Sequence, residues 1–190
     1  MSYYAGTPLD LERYLTREIA EWVSDFRLKS PIDRGAVPVP IEVVQGFVPS
    51  YYAGPEEGNQ DKAPCISVRC TSGFYLRERG KVVANIMVLT WDQDVTRVGY
   101  QDCLNISEQI RFRLQEAVAI GKSFVLSDDP IHFTEVVDPF KDFFPYFVLG
   151  MEAQFYVPSA TSPPPIFPRT RPGVLEGGTA GFEDRPLPGP

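Results

Sequence analysis

Histidine occurs once in this 190-residue chain and cysteine three times, and no apolar run approaches the roughly 18 residues that a membrane-crossing helix needs. No charged-then-apolar leader opens the sequence, so neither secretion nor membrane insertion is expected. Basic residues are also short: 18 Lys and Arg stand against 25 Asp and Glu, giving a net charge of −7 and a pI near 4.8. That balance argues against a nucleic-acid surface of the usual kind, which neutralises phosphates with clustered cations. An acidic surface can still serve DNA by repelling it.

The same scarcity empties the search for chemistry. His132 sits at alternating spacing in a short apolar stretch with no serine or cysteine nucleophile signature beside it, which favours a structural role. Gly121-Lys122-Ser123 resembles the end of a phosphate-binding loop, but Glu116 stands where the loop needs its first glycine, and the tripeptide follows a helix instead of preceding one. Asp92 with Asp94, and Asp128 with Asp129, lack further oxygen donors at calcium-binding spacing and read as solvated turns. There is no cysteine and histidine cluster for zinc and no glycine-rich dinucleotide loop after a strand. No enzyme activity, metal or cofactor is expected. Cys65, Cys70 and Cys103 each lie among apolar residues and are expected to be buried, reduced thiols.

What is present is a domain organised around residues 82–114. Residues 82–91 are apolar in both alternating registers, as in a strand covered on both sides. An acidic turn and a helix follow, with Tyr100, Cys103, Leu104, Ile110, Leu114 and Val118 in one stripe at roughly 100° per residue and Gly121 as a stop signal. Phe112 falls on nearly the opposite face, where another chain or segment is expected to cover it. Upstream, Thr7-Pro8-Leu9-Asp10 has the chemistry of a capped helix start, and Leu11, Leu15, Ile19, Trp22, Val23 and Phe26 give that helix an apolar face ending near Leu28.

Between these helices, strands are expected at 41–47 and 65–71, with a long surface loop at 50–64 and a hairpin at 72–81. Downstream, strands are expected at 131–137 and 146–157, separated by an aromatic loop carrying Phe140, Phe143 and Phe144. From 158 onward nine of 33 residues are proline and five are glycine, a composition that forms neither helix nor ladder. The expected organisation is therefore an α+β domain over residues 1–157: an antiparallel or mixed sheet of about five strands with two main helices packed on one face. Residues 158–190 follow as an extended or disordered tail, with Phe167 and Phe182 among its isolated apolar anchors.

Two stretches carry a resemblance. The run Gly99-Tyr100-Gln101-Asp102-Cys103-Leu104-Asn105-Ile106-Ser107-Glu108-Gln109-Ile110-Arg111 through Leu114, after Leu89-Thr90-Trp91-Asp92, and the closing Pro145-Tyr146-Phe147-Val148-Leu149-Gly150-Met151-Glu152 resemble the tail-terminator (tail-completion) proteins of long-tailed phages. The likeness covers roughly residues 37–157 and rests on order and spacing. It implies a small α+β subunit of a hexameric ring that stops polymerisation of the tail tube, and a protein located at the tail-neck junction of the virion and in the host cytoplasm during assembly. The partners it implies are other copies of the chain, the major tail-tube protein and a head-completion or stopper protein, with DNA passing through the lumen without specific binding and no membrane. Phe112, Phe140, Phe143, Phe144, Phe167 and Phe182 are the apolar positions such a subunit would offer to its neighbours. The long proline-rich tail and the family-variable 50–64 loop depart from the pattern. Two alternatives belong to other classes: a different neck component such as a head-tail stopper or connector, and a ligand-binding α+β module.

Overall fold

The computed structural model describes residues 6–32, 36–47, 62–75, 80–94, 96, 98–121, 123–135 and 144–157. Helix α1 (Pro8–Trp22) starts as its residues dictate. Thr7 Oγ1 accepts from the Asp10 N–H at 3.2 Å and the Asp10 carboxylate accepts from the Thr7 N–H at 3.2 Å, so each satisfies an orphan donor of the first turn. Its inner face buries Leu11, Leu15, Ile19 and, just past the end, Val23. The helix stops at Trp22, short of the expected Leu28. Past the turn at residues 23–25, Arg27–Leu28 leaves the helix as β1 and pairs antiparallel with β2 (Val39–Pro40).

The main sheet contains β3 (Glu42–Gln45), β4 (Cys65–Tyr75), β5 (Gly80–Trp91), β6 (Val125–Leu126), β7 (His132–Glu135) and β8 (Tyr146–Val157). Its order is β3-β4-β5-β8-β6, with β7 beside β6 on the outer side of β8. Only β3 runs parallel to its neighbour, so the sheet is mixed. Strands β4 and β5 form the expected hairpin, with β4 running to Tyr75 and a bulge between Cys70 and Ser72. Strand β8 spans the anticipated residues, because Pro145 and Pro158 bracket an unbroken alternation of Leu149, Met151, Ala153, Phe155 and Val157 toward the core.

Helix α2 (Val98–Glu116) lies on the same side of the sheet as α1. Helix α1 packs on β3 and β4 and α2 on β5 and β8, and their inner faces share one core with Ile66, Val68, Val82, Ala84, Ile86, Val88, Met151 and Phe155. This is an α+β fold with helices on one face. The α2 stripe differs from the expected one: Gly99, Cys103, Ile106, Ser107, Ile110 and Leu114 are buried, whereas Leu104 is exposed and Val118 lies beyond the helix. Cys103, Ile106, Ile110 and Leu114 keep the 3-4-4 spacing that faces one partner surface, and Leu104 is one residue off that line. Gly121 does not end the helix, which stops five residues earlier. It instead holds φ +55° with the Tyr14 ring packed against its Cα.

Strand β5 is covered on both faces only at one end. Toward the helices Val82, Ala84, Ile86 and Val88 are wholly buried, but on the reverse Val83, Asn85 and Met87 stay half-exposed. There Leu89 and Trp91 alone gain cover, from Ala63, Cys65, Tyr146 and Val148. The expected double coverage fails because, among the described residues, no helix lies on that side, and only the Ala63–Cys65 segment and the start of β8 crowd onto it. Strand β7 starts one residue later than expected, at His132, and His132–Glu135 are all exposed; residues 136–137 lie outside the described residues.

Candidate interaction surfaces

The two stretches that carry the resemblance meet in space. At the start of α2, Gly99 lies so close to β8 that a Cβ there would stand 2.5 Å from Phe147 Cδ2 and 3.0 Å from Asp92 Cβ. Thr90 Oγ1 donates to the Gly99 carbonyl at 2.7 Å, and Cys103 Sγ donates to the Phe147 carbonyl at 3.4 Å while contacting Thr90 Oγ1 at 3.2 Å. The Asp92 N–H donates to the Pro145 carbonyl at 2.9 Å. Strand end, helix start and the entry to β8 are thus one hydrogen-bonded junction. The glycine is needed where backbone approaches an aromatic ring this closely.

Asp92 overturns the solvated-turn expectation. It is only 2% exposed; its Oδ1 accepts from Lys29 Nζ at 2.9 Å and from the Asp94 N–H at 3.0 Å, and its Oδ2 has no hydrogen-bond partner. The hydrogen bond to Asp92 holds the Lys29 ammonium above its ordinary pKa. On α2, burial pushes the Asp102 carboxyl up, and the Asp92 charge adds to the shift while Lys29 opposes it. Asp94 does sit in an exposed turn, but Asp129 is engaged by Lys81 Nζ and by Ser127 Oγ. The junction holds no activated nucleophile. Burial pushes the Cys103 thiol up to about 11, and those of Cys65 and Cys70 to about 12, which keeps all three protonated. None of the three is in a disulfide; Cys65 and Cys103 are buried as expected, whereas Cys70, at the bulge of β4, is only half-buried. Among the described residues no group of three His, Cys, Asp or Glu side chains converges as a metal would require, and no helix is long and apolar enough to cross a membrane. His132 is exposed on β7 and belongs to no such group.

The exposed aromatic positions are the other candidates. Phe112 is 52% exposed on the face of α2 turned away from the sheet. With Leu104 and Glu108 it makes an i, i+4 ridge. Beside the ridge Arg111 donates to the Glu108 carboxylate at 2.7 Å and to Gln115 Oε1 at 2.7 Å, so a charged rim flanks an apolar tip. Phe144 is also exposed and stands edge-on to Phe147, ring centroids 6.4 Å apart. Phe112 and Phe144 therefore lie on separate elements. Phe140, Phe143, Phe167 and Phe182 lie outside the described residues, as do most of the 50–64 loop and the whole 158–190 tail.

Two features have no local signal in the sequence. Lys29 and Asp92 are 63 positions apart, so neither spacing nor composition pairs them. The outer edge of β4 beyond Cys70 is exposed at residues 71–75, where Thr71-Ser72-Gly73-Phe74-Tyr75 has the composition of a turn. No protein-family model matches the chain, and no curated protein sequence matches it.

Proposed function

We propose that the chain is a ring-forming tail terminator: it caps the end of a phage tail tube, stops its growth and presents a docking surface to the neck. The observation that carries this reading is the junction of Gly99 with Phe147, in which the helix and the closing strand behind the resemblance pack as one unit. Phe112 supports it as well, since a large aromatic on the outer face of a helix is stabilised when a partner covers it. The net charge of −7 suits a passage through which DNA slides, because carboxylates repel phosphate. No catalytic step is assigned to the protein.

The test is the mass of the full chain in solution, alone and mixed with tail-tube protein, by light scattering and negative-stain microscopy. Rings seated on one end of tubes that then cease to lengthen are the expected result. Rings that ignore tubes would move the protein to another place in the neck. A monomer at every concentration, indifferent to tubes, would overturn the proposal.

A further inference from the structure

The sheet ends in two open edges that match each other. On one side β3 accompanies β4 only as far as Val68. There the chain turns off at Gly46, φ +88°, and Phe47 lies under the Arg69 guanidinium at 4.5 Å. Glu12 from α1 then takes the next outward donor, its Oε1 accepting from the Cys70 N–H at 2.7 Å while its Oε2 accepts from Gln45 Nε2 at 3.1 Å. Beyond Glu12, the outer edge of residues 71–75 has no backbone partner among the described residues, and Phe74 and Tyr75 are 53% and 58% exposed. On the far side β7 pairs only with β8, again among the described residues, and all four of its residues are exposed. Unpaired edges of this kind are templates for a further strand.

The two edges also fit in register. The Cys70 N–H points outward, and the bulge between Cys70 and Ser72 shifts the alternation by one, so that Gly73 and Tyr75 present the next outward N–H groups. On β8 the even-numbered residues bond away from β5, as the Ser127 N–H to Gln154 carbonyl bond at 2.8 Å shows. His132 and Thr134 sit opposite Glu152 and Gly150, so they bond inward to β8 and leave Phe133 and Glu135 facing out. Strand β4 runs antiparallel to β5, β5 to β8 and β8 to β7, so β4 and β7 run in opposite directions across the sheet. A neighbour related by rotation about an axis along the strands would therefore bring β7 antiparallel to β4. The register that engages both outward positions of each edge pairs Tyr75 with Phe133 and Gly73 with Glu135, and sets Phe74 opposite Thr134 between them. Paired residues fall on the same face of the joined sheet, as a ladder requires.

We infer that residues 71–75 of one copy pair antiparallel with His132–Glu135 of the next, carrying the sheet across the subunit boundary. The contact is heterologous, the kind that closes into rings. It rests on the ring-forming reading above and says which surfaces build the ring. It also leaves the outer face of α2, with Phe112, free for a partner stacked on the helix layer.

The pairing is tested in the full chain with Phe74→Cys/Thr134→Cys. These residues would form a non-hydrogen-bonded pair with Cα atoms roughly 4.5 Å apart, within disulfide reach. Mild oxidation should give a non-reducing ladder of covalent oligomers ending at the ring's subunit number, at least fivefold above either single variant. A second variant, Phe133→Pro, removes an outward N–H and leaves the β7–β8 bonds in place. It should raise the concentration needed for rings at least tenfold while the monomer's circular dichroism is unchanged. Wild-type rings without crosslinks, or Phe133→Pro rings at wild-type concentration, would overturn the edge pairing and leave the ring standing. A wild-type chain that is monomeric throughout would overturn both.

Discussion

The Gly99 Cα and the Phe147 ring are packed so closely that no side chain fits between them. Gly99→Ala places a methyl 2.5 Å from Phe147 Cδ2 and 2.7 Å from its Cε2, and Phe147 is held in β8, its carbonyl accepting from the Cys103 thiol. Overpacking of this kind costs about 1–3 kcal/mol. Gly99→Ala is expected to lower the urea midpoint accordingly, and Phe147→Leu in the same chain to recover part of the loss. If Gly99→Ala unfolds at the wild-type midpoint, the junction is looser than its geometry states.

Local signals and long-range contacts leave unequal traces in the sequence, for physical reasons. The start of α1 was legible because Thr7, Pro8 and Asp10 act within one turn, and β8 because alternation and bracketing prolines are local properties. The α2 stripe was half legible. Cys103, Ile110 and Leu114 were placed correctly, but Leu104 was expected inside on its hydrophobicity, while Ile106 and the polar Ser107 occupy the buried line. Of the aromatic positions expected to meet neighbours, Phe112 is exposed as helical geometry alone implies. Burial of Asp92 was not legible, because its partner Lys29 arrives from just past β1, 63 positions away in the chain.

That ion pair makes its own prediction. Lys29→Met leaves Asp92 almost wholly buried with no counter-charge, whereas Asp92→Asn keeps an acceptor for the Asp94 N–H and needs none. Lys29→Met should therefore lower the thermal midpoint more than Asp92→Asn does. Adding Asp92→Asn to Lys29→Met should restore part of the difference. Strictly additive losses in the double variant would show that the two side chains do not act together.

Buried and half-buried thiols set an alkaline limit on the fold. Folding raises the thiol pKa from 9.0 to about 11 at Cys103 and about 12 at Cys65 and Cys70, so the native state keeps protons that the unfolded chain releases. Their stabilisation is complete below pH 9.0 and declines as pH rises through 9.0 toward 11 and 12. Lys29, also raised in the folded state, acts with the same sign above its ordinary 10.5. The urea midpoint is thus expected to be lower at pH 10.5 than at pH 8, and iodoacetamide to label the native cysteines at least about tenfold more slowly than the unfolded ones. A midpoint that holds or rises over that interval would refute the account.

Phe112 separates folding from assembly most cleanly. Its ring is 52% exposed and lies opposite the buried line of Cys103, Ile106, Ile110 and Leu114, so the monomer gains little from it. Phe112→Asp should leave the melting temperature within about 2 °C of wild type, the usual range for an exposed substitution in a domain of this size. A charge placed where an aromatic tip is to be desolvated weakens the contact by at least about tenfold, the scale of an interface anchor. On the edge pairing inferred above, the contact affected is one with a partner on the helix layer and not the one between subunits. Rings should persist by native mass spectrometry while their seating on tube ends is lost. Loss of the ring itself would place Phe112 between subunits. Unchanged rings and unchanged seating would remove it from the interface altogether.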